Sequence, residues 1–529
     1  MVKSWDCFDT LIARRYHYPR SIFHHMGLLL DDNNFINLRL MAERSAYEKT
    51  LDGIYSLLPN YDKNLELQTE KELTYPIVEN FMMVEDGDII VSDMYLSSDE
   101  ILELLRYHGL NKDITVYSTY GGKSSGRIWD KIKLKHQIEY HIGDNLYSDV
   151  LNPRKYGIDT LYYHSSNLSY QELLIERYSS YLSYWIKNSR LLNNYIPQYN
   201  RYIYNNGSIM YYYSNYWTVE HSGNISLYTV SDNNLEELIL YSKQYDNYIK
   251  INKNSGLAYI KYTNEYSLYA QGRWIDNKSN CTRDDQKILW TEQSSLNIPI
   301  LIMAIFELPI SKPIVFSYRD CVYMEMLYKS IYSDKNYETL HVSRDGYLYP
   351  YNQEYIEYIL KATKDGCIID LHGTGNSSKT FFNKHRPNQE VLFVCEHSDH
   401  SNKNCNNKSM NLCFNYDSKE TLENTKFNHN IKSSKLGLKC CCGTTLEKFN
   451  ISPDMGPLAG WVDNRPYRKK IEHDNLVCET FKRCVDETCS VSKYYRDNMS
   501  NNSELLGILL KKINEYTYSN SVIHSLWKK

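Results

Sequence analysis

In the first 165 residues, apolar runs of strand length alternate with stretches of helical periodicity, and several of the runs end in carboxylates or hydroxyls. The strand candidates are SWDCFDTLI (4–12), DGDIIVSDMYL (86–96), DITVYSTY (113–120), IEYHIGDN (138–145) and DTLYYHS (159–165). Strands alternating with helices are the pattern of an α/β domain. The stretch SSDEILELLRYHGL (97–110) fits one such helix, with Ser97 or Ser98 as N-cap and Gly109 near its end. The first two strand candidates are separated by NNFINLRLMAERSAYEKT (33–50) and LELQTEKELTYPIVENFMM (65–83), which carry apolar residues at helical spacing. They predict a helical cap over about 15–85, with Arg39 and Glu43 spaced for an i,i+4 ion pair.

In open α/β sheets, chemistry gathers at the carboxyl ends of the strands. Here those ends offer Asp6, Asp9 and Thr10, then Ser92 and Asp93, then Lys123 in YGGKSSGR, then Asp144 and Asp149 in GDNLYSD. The parts suit phosphoryl transfer. An aspartate can attack phosphorus, paired carboxylates suit Mg²⁺, and a hydroxyl with a lysine can stabilise charge on the transferred group. Asp9 could equally cap a helix, and Asp93 could be structural.

The segments WDCFDTL, FINLRLMAE, VSDMYLS and GDNLYSD, in that order, resemble the motifs of the haloacid dehalogenase (HAD) superfamily. They are most similar to predicted HAD hydrolases of capsule and cell-envelope gene neighbourhoods. The resemblance implies a HAD-like Rossmannoid domain with a helical cap over residues 1–165. It implies Asp6 as nucleophile, Thr10 fixing the loop, and Ser92 and Lys123 as phosphate ligands. It also implies Mg²⁺ held by Asp6, the Phe8 carbonyl, Asp144 and Asp149. One departure stands out: where HAD phosphatases carry a second aspartate as acid and base, this chain has Phe8.

Residues 166–290 are rich in Tyr, Asn and Ser and show no clear periodicity; they read as a connecting region. Residues 291–400 return to α/β, with strand candidates KPIVFSYRD, YETLHVSRDG, DGCIIDLHGTG and EVLFVCEHS, and 401–529 read as a C-terminal extension. The turn GCIIDLHGTGNSSKT (366–380) admits three readings. A P-loop would use Gly373, Ser378, Lys379 and Thr380, but has Ser378 where a glycine is needed. A phosphoribosyltransferase-like loop would use Asp370, Gly373, Thr374, Gly375 and Ser377 as an anion nest, with Ile369 in place of the usual first acid. The third is a turn without a ligand. Arg319 and Arg344, at neighbouring strand ends, are expected to add positive charge. The HAD hydrolases named above carry a looser counterpart of this second region.

Composition narrows the classes. The chain has 529 residues, 42% hydrophobic and 23% charged, with net charge −4, so nothing global draws it to nucleic acid or an anionic membrane. No signal peptide is expected, and NIPILIMAIFELPI reads as too short to span a bilayer. Thirteen scattered cysteines suit reduced thiols. The expectation is a soluble, cytoplasmic, Mg²⁺-dependent HAD-type hydrolase of a phosphorylated small molecule, fused to a second Rossmann-like domain. Polynucleotide kinase-phosphatase-like end processing and a catalytically weak HAD scaffold for binding or assembly stand as alternatives.

Overall fold

The computed structural model describes residues 1–193, 201–213, 216–221, 224–243, 245–261, 265–275, 281–373, 376–396, 446, 449–450, 456–469 and 475–516. The protein is mixed α/β, with two parallel sheets and a barrel among the described residues. One compact unit holds both sheets (1–193, 289–473 and 481–525) and the other holds the barrel (194–288) together with 474–480 and 526–529.

The first part contains β1 (Val2–Trp5), β2 (Ile12–Arg14), β3 (Thr74–Pro76), β4 (Ile89–Asp93), β5 (Thr115–Thr119), β6 (Ile138–Gly143) and β7 (Asp159–Tyr162). Its sheet runs β5-β4-β1-β6-β7, and every pair is parallel. Ile89, Ile90 and Val91 are fully buried, as a sheet covered on both faces requires. The order leaves β1 toward β4 and β5, then returns to β6 on its other side. The reversal therefore falls between β1 and β6. The helix Ser98–Tyr107 forms as expected: Ser97 and Glu100 close a capping box, and Ile101, Leu104 and Leu105 are buried.

The insert after β1 is mainly helical, with helices Ser21–Leu29, Phe35–Ser45, Leu51–Tyr55, Lys63–Leu73 and Val78–Phe81. It is not wholly so. β3 pairs antiparallel with β2, Ala13 opposite Tyr75. Pro76 explains the break, because it biases Tyr75 away from helical dihedrals. Arg39 makes the expected pair with Glu43 at 3.0 Å, but its main partner is Glu66, gripped at 2.7 and 2.8 Å with both side chains fully buried. Tyr55 donates to the same Glu66 carboxylate at 2.9 Å.

The region with no readable periodicity begins with helices Tyr170–Glu176 and Ser180–Leu191 and continues into β8 (Arg201–Tyr204), β9 (Ile209–Tyr213), β10 (Tyr216–His221), β11 (Asn224–Asn233), β12 (Glu237–Ser242), β13 (Asn247–Asn252), β14 (Leu257–Lys261) and β15 (Ser267–Ile275). These strands make a closed antiparallel barrel in which each pairs with its sequence neighbour and β15 returns to β8. Leu238, Leu240, Ile249 and Ile251 alternate inward. Closure leaves no exposed sheet edge.

The second parallel sheet comprises β16 (Ile314–Ser317), β17 (Tyr337–Leu340), β18 (Cys367–Gly373) and β19 (Val391–Glu396), in the order β17-β16-β18-β19. RDG of HVSRDG is helical, in Arg344–Leu348, rather than the end of a strand. A hairpin of β20 (Leu458–Val462) and β21 (Arg465–Arg468) turns on Asp463 and Asn464 at φ +49° and +57°, a geometry these residue types tolerate. Helices Asn475–Val491 and Ser503–Tyr516 follow. The apolar run is longer than its sequence suggested, since Arg283–Phe306 is one helical stretch of 24 residues; 89% of its most apolar window is buried inside the protein, as in a core helix. Cys440, Cys441 and Cys442 lie outside the described residues, and Cys7, Cys321, Cys367, Cys484 and Cys489 are free thiols.

Candidate active site

Asp6 directly follows β1, and its N–H donates to Ile142 O at 2.8 Å, which fixes the residue against β6. Asp144 follows β6, and Asp149 sits in the π-helical turn Leu146–Leu151. The Asn145 side chain accepts from the N–H groups of Tyr147 and Ser148 at 3.0 and 3.1 Å, which starts that turn. Asp6, Asp144 and Asp149 each offer a ligand oxygen, all within 4.8 Å of one another. The three acids thus meet where the strand order reverses, the position expected for a ligand in an open parallel sheet.

Lys123 enters from the loop after β5, and Ser92, near the end of the adjacent strand β4, is buried. Its ammonium pairs with Asp6 and lies 2.5 Å from Asp149 Oδ1. Asp93 holds this loop. It accepts from Thr119 Oγ1 at 2.7 Å, Ser124 N at 2.9 Å and Lys123 N at 3.4 Å. Burial raises the Asp93 pKa, but these hydrogen bonds outweigh it and the net shift is downward. Asp93 is a loop clamp.

Asp149 is the most heavily fastened of the acids. It accepts from Asn145 N at 2.9 Å, from Ser148 Oγ at 3.4 Å and from His141 Nε2 at 3.1 Å. A carboxylate only accepts, so His141 carries its proton on Nε2 and its Nδ1 accepts from Ser4 Oγ at 2.8 Å. Burial opposes ionisation of Asp149, but Lys123 and His141 pull its pKa well below the usual carboxylate range. The other two behave oppositely. Burial pushes Asp6 up to about 7 against the pull of Lys123, with Asp149 adding repulsion. Burial together with the charges of Asp6, Asp9 and Asp149 pushes Asp144 up to about 9. Burial favours the uncharged form of His141 as well. Lys123 stays charged because Asp6 and Asp149 outweigh its desolvation.

Thr10 is fully buried, with Oγ1 3.5 Å from Asp6 Oδ2, and its carbonyl accepts from Asn80 of the insert at 2.8 Å. Asp9 is neither on a strand nor a helix cap. The strand stops before Asp6, and Asp9 adopts φ +58° with its carboxylate 3.4 Å from Lys187 Nζ. Phe8 lies beneath the Arg14 guanidinium, 4.1 Å from ring centroid to Cζ, and Arg14 grips Glu70 with two nitrogens.

The sequence reading missed Ser4, His141 and Gly143. The first two are polar residues facing each other at paired positions of buried strands, which is a legible signal once the register is known. Gly143 leaves the space that Asp149 occupies: a Cβ there would lie 2.3 Å from Asp149 Cγ.

At the second sheet, Asp370 lies in β18, Gly373 ends it, Ser377 is the second residue of the next helix, Asn376–His385, and Thr374 and Gly375 lie outside the described residues. Arg319 follows β16 with its guanidinium on Asp320 at 2.6 and 3.1 Å, and Arg344 starts the helix after β17. No family model matches this chain, and no curated protein matches it.

Proposed function

We propose that the Asp6 centre is a Mg²⁺-dependent phosphohydrolase site of HAD type, acting on a phosphorylated small molecule. The observation that supports this most is the convergence of Asp6, Asp144 and Asp149 with the buried Lys123 at the point where the strand order reverses. Once ionised, three carboxylates around one ammonium leave negative charge for a cation to neutralise, and an all-oxygen donor set suits a hard divalent cation. Asp6, Asp144, Asp149 and the Phe8 carbonyl would hold it, and Mg²⁺ would supply charge neutralisation on the phosphoryl oxygens.

Asp6 attacks phosphorus through a carboxylate oxygen, the ester P–O bond breaks, and the aspartyl phosphate formed is hydrolysed by water to regenerate the carboxylate. Lys123 and the Ser92 hydroxyl stabilise the transferred group, and Thr10 orients Asp6. With Phe8 in the acid's position and its ring occupied by Arg14, no side chain there protonates the leaving oxygen. The best substrates are therefore those whose leaving groups need no proton, such as acyl or aryl phosphates. The same feature favours a second reading, a HAD scaffold that binds without turnover.

The experiment is phosphate release from acetyl phosphate and p-nitrophenyl phosphate by the full chain, with and without Mg²⁺. Turnover should require Mg²⁺, vanish in Asp6→Asn and survive in Asp9→Asn. Full rate in Asp6→Asn rules out the mechanism; no turnover of either compound favours the scaffold.

A further inference from the structure

The second sheet has its own reversal of strand order. From β16 the chain moves to β17 on one side, then crosses to β18 and β19 on the other. Phe316 and Cys321 contact the face that carries helix Val322–Ile331, whereas Val315 and Ile368 share a core with helices Gln353–Ala362 and Asn376–His385 on the opposite face. The loops leaving β16 and β18 therefore diverge to opposite faces, the topology that in open α/β sheets leaves a crevice at the carboxyl ends of the strands.

The groups bordering this crevice are incompletely satisfied. The pairing Val315–Ile368 and Phe316–Ile369 places Ser317 beside Asp370, on the same face as Tyr347. Ser317 and Tyr347 are each 7% exposed, and among the described residues the Ser317 Oγ and Tyr347 OH have no hydrogen-bond partner. Burial and the nearby Asp370 charge keep the Tyr347 phenol protonated, so it is a donor. Next to Ser317, the Tyr318 ring carries the Arg468 guanidinium, 4.9 Å from centroid to Cζ. Arg468 spends Nη1 on Gly456 O at 2.9 Å and Nη2 on His341 Nδ1 at 3.0 Å, while its buried Nε has no partner among the described residues. Among the described residues it has no carboxylate counter-ion. Burial and the neighbouring Arg319 both disfavour its charge. Arg319 itself is held at φ +106°, a conformation costly for a residue with a side chain and characteristic of ligand sites.

We propose that this crevice binds a phosphorylated sugar, its phosphate on Arg468 and Arg319 and its hydroxyls on Ser317, Tyr347 and Asp370. Of two neighbouring guanidiniums, Arg319 is paired with Asp320 while Arg468 has no carboxylate partner among the described residues, and a guanidinium so placed calls for an anion. Two orphaned hydroxyls beside a carboxylate suit a polyhydroxyl group, since buried polar atoms left unpaired are costly. The proposal does not depend on the Asp6 chemistry, and the described residues alone compose the site.

The test is calorimetric titration of ribose 5-phosphate, inorganic phosphate and ribose into the full chain carrying Asp6→Asn, in EDTA, so that hydrolysis plays no part. Ribose 5-phosphate should bind more tightly than either fragment. Arg468→Gln should weaken ribose 5-phosphate and inorganic phosphate by about tenfold or more. Tyr347→Phe, which keeps the packed ring, should weaken ribose 5-phosphate by about fivefold and leave inorganic phosphate unchanged. If Arg468→Gln lowers the melting temperature, Arg468→Lys and Ser317→Ala are titrated in its place, with losses of the same sign expected. Absence of ribose 5-phosphate binding at millimolar concentration, or binding indifferent to both Arg468 and Tyr347, overturns the proposal. Equal affinity for inorganic phosphate and ribose 5-phosphate overturns its sugar half.

Discussion

Lys123 Nζ lies 2.5 Å from Asp149 Oδ1, and the same ammonium pairs with Asp6, so one buried cation joins the carboxyl ends of β1 and β6. Removing it leaves buried carboxylates uncompensated. Lys123→Met should lower unfolding free energy at pH 8 by about 3 kcal/mol or more. Urea denaturation in EDTA measures the loss, and Mg²⁺ should restore part of it. Unchanged stability would mean the ion pairs carry no weight.

Gly143→Ala tests the site's space. Its Cβ would collide with Asp149, so the acid must leave its position. Mg²⁺-induced stabilisation should disappear, and turnover of an aryl phosphate should fall by about 100-fold. A variant with normal Mg²⁺ response would show that Asp149 is not a ligand.

Asp6 and Asp144 have folded pKa values raised to about 7 and about 9. A carboxyl that binds its proton more tightly when folded contributes stability below its unfolded value near ~3.9, and that contribution is lost as pH rises through the folded value. Metal-free protein should therefore lose this contribution between about pH 4 and 9. Mg²⁺ needs the ionised forms. The Mg²⁺-induced rise in melting temperature should accordingly be larger at pH 9 than at pH 6. A rise that shrinks with pH contradicts the ligand assignment.

Glu66→Gln breaks a pair whose two side chains are both fully buried, and should cost about 3–5 kcal/mol. Glu43→Gln, at the partly exposed end of the same arginine, should cost about 1 kcal/mol or less. Chemical denaturation of both variants checks the ranking; equal costs would sink it.

The strands of both parallel sheets were legible because buried parallel strands read as short apolar runs, and their polar ends stood out against them. The strand Thr74–Pro76 was not, since its pairing with Ile12–Arg14 depends on a contact across some sixty residues rather than on a local pattern. The barrel was hidden by tyrosine. Tyr202, Tyr204 and Tyr228 point inward while Tyr241 and Tyr248 are partly exposed, so one residue type occupies both phases of the alternation and erases it. At the candidate site the acids and Lys123 were readable as strand-end polar groups. Ser4 and His141 were not, because a buried polar pair announces itself only when the register brings the partners together.

Because β15 closes on β8 with Ile275 opposite Arg201, the barrel's first and last strands begin and finish side by side, about 5 Å apart. The seventy-odd residues between them therefore add little to the span the polypeptide must cross. The barrel is in this sense a detachable bead, and a short glycine-serine bridge from 200 to 276 could take its place.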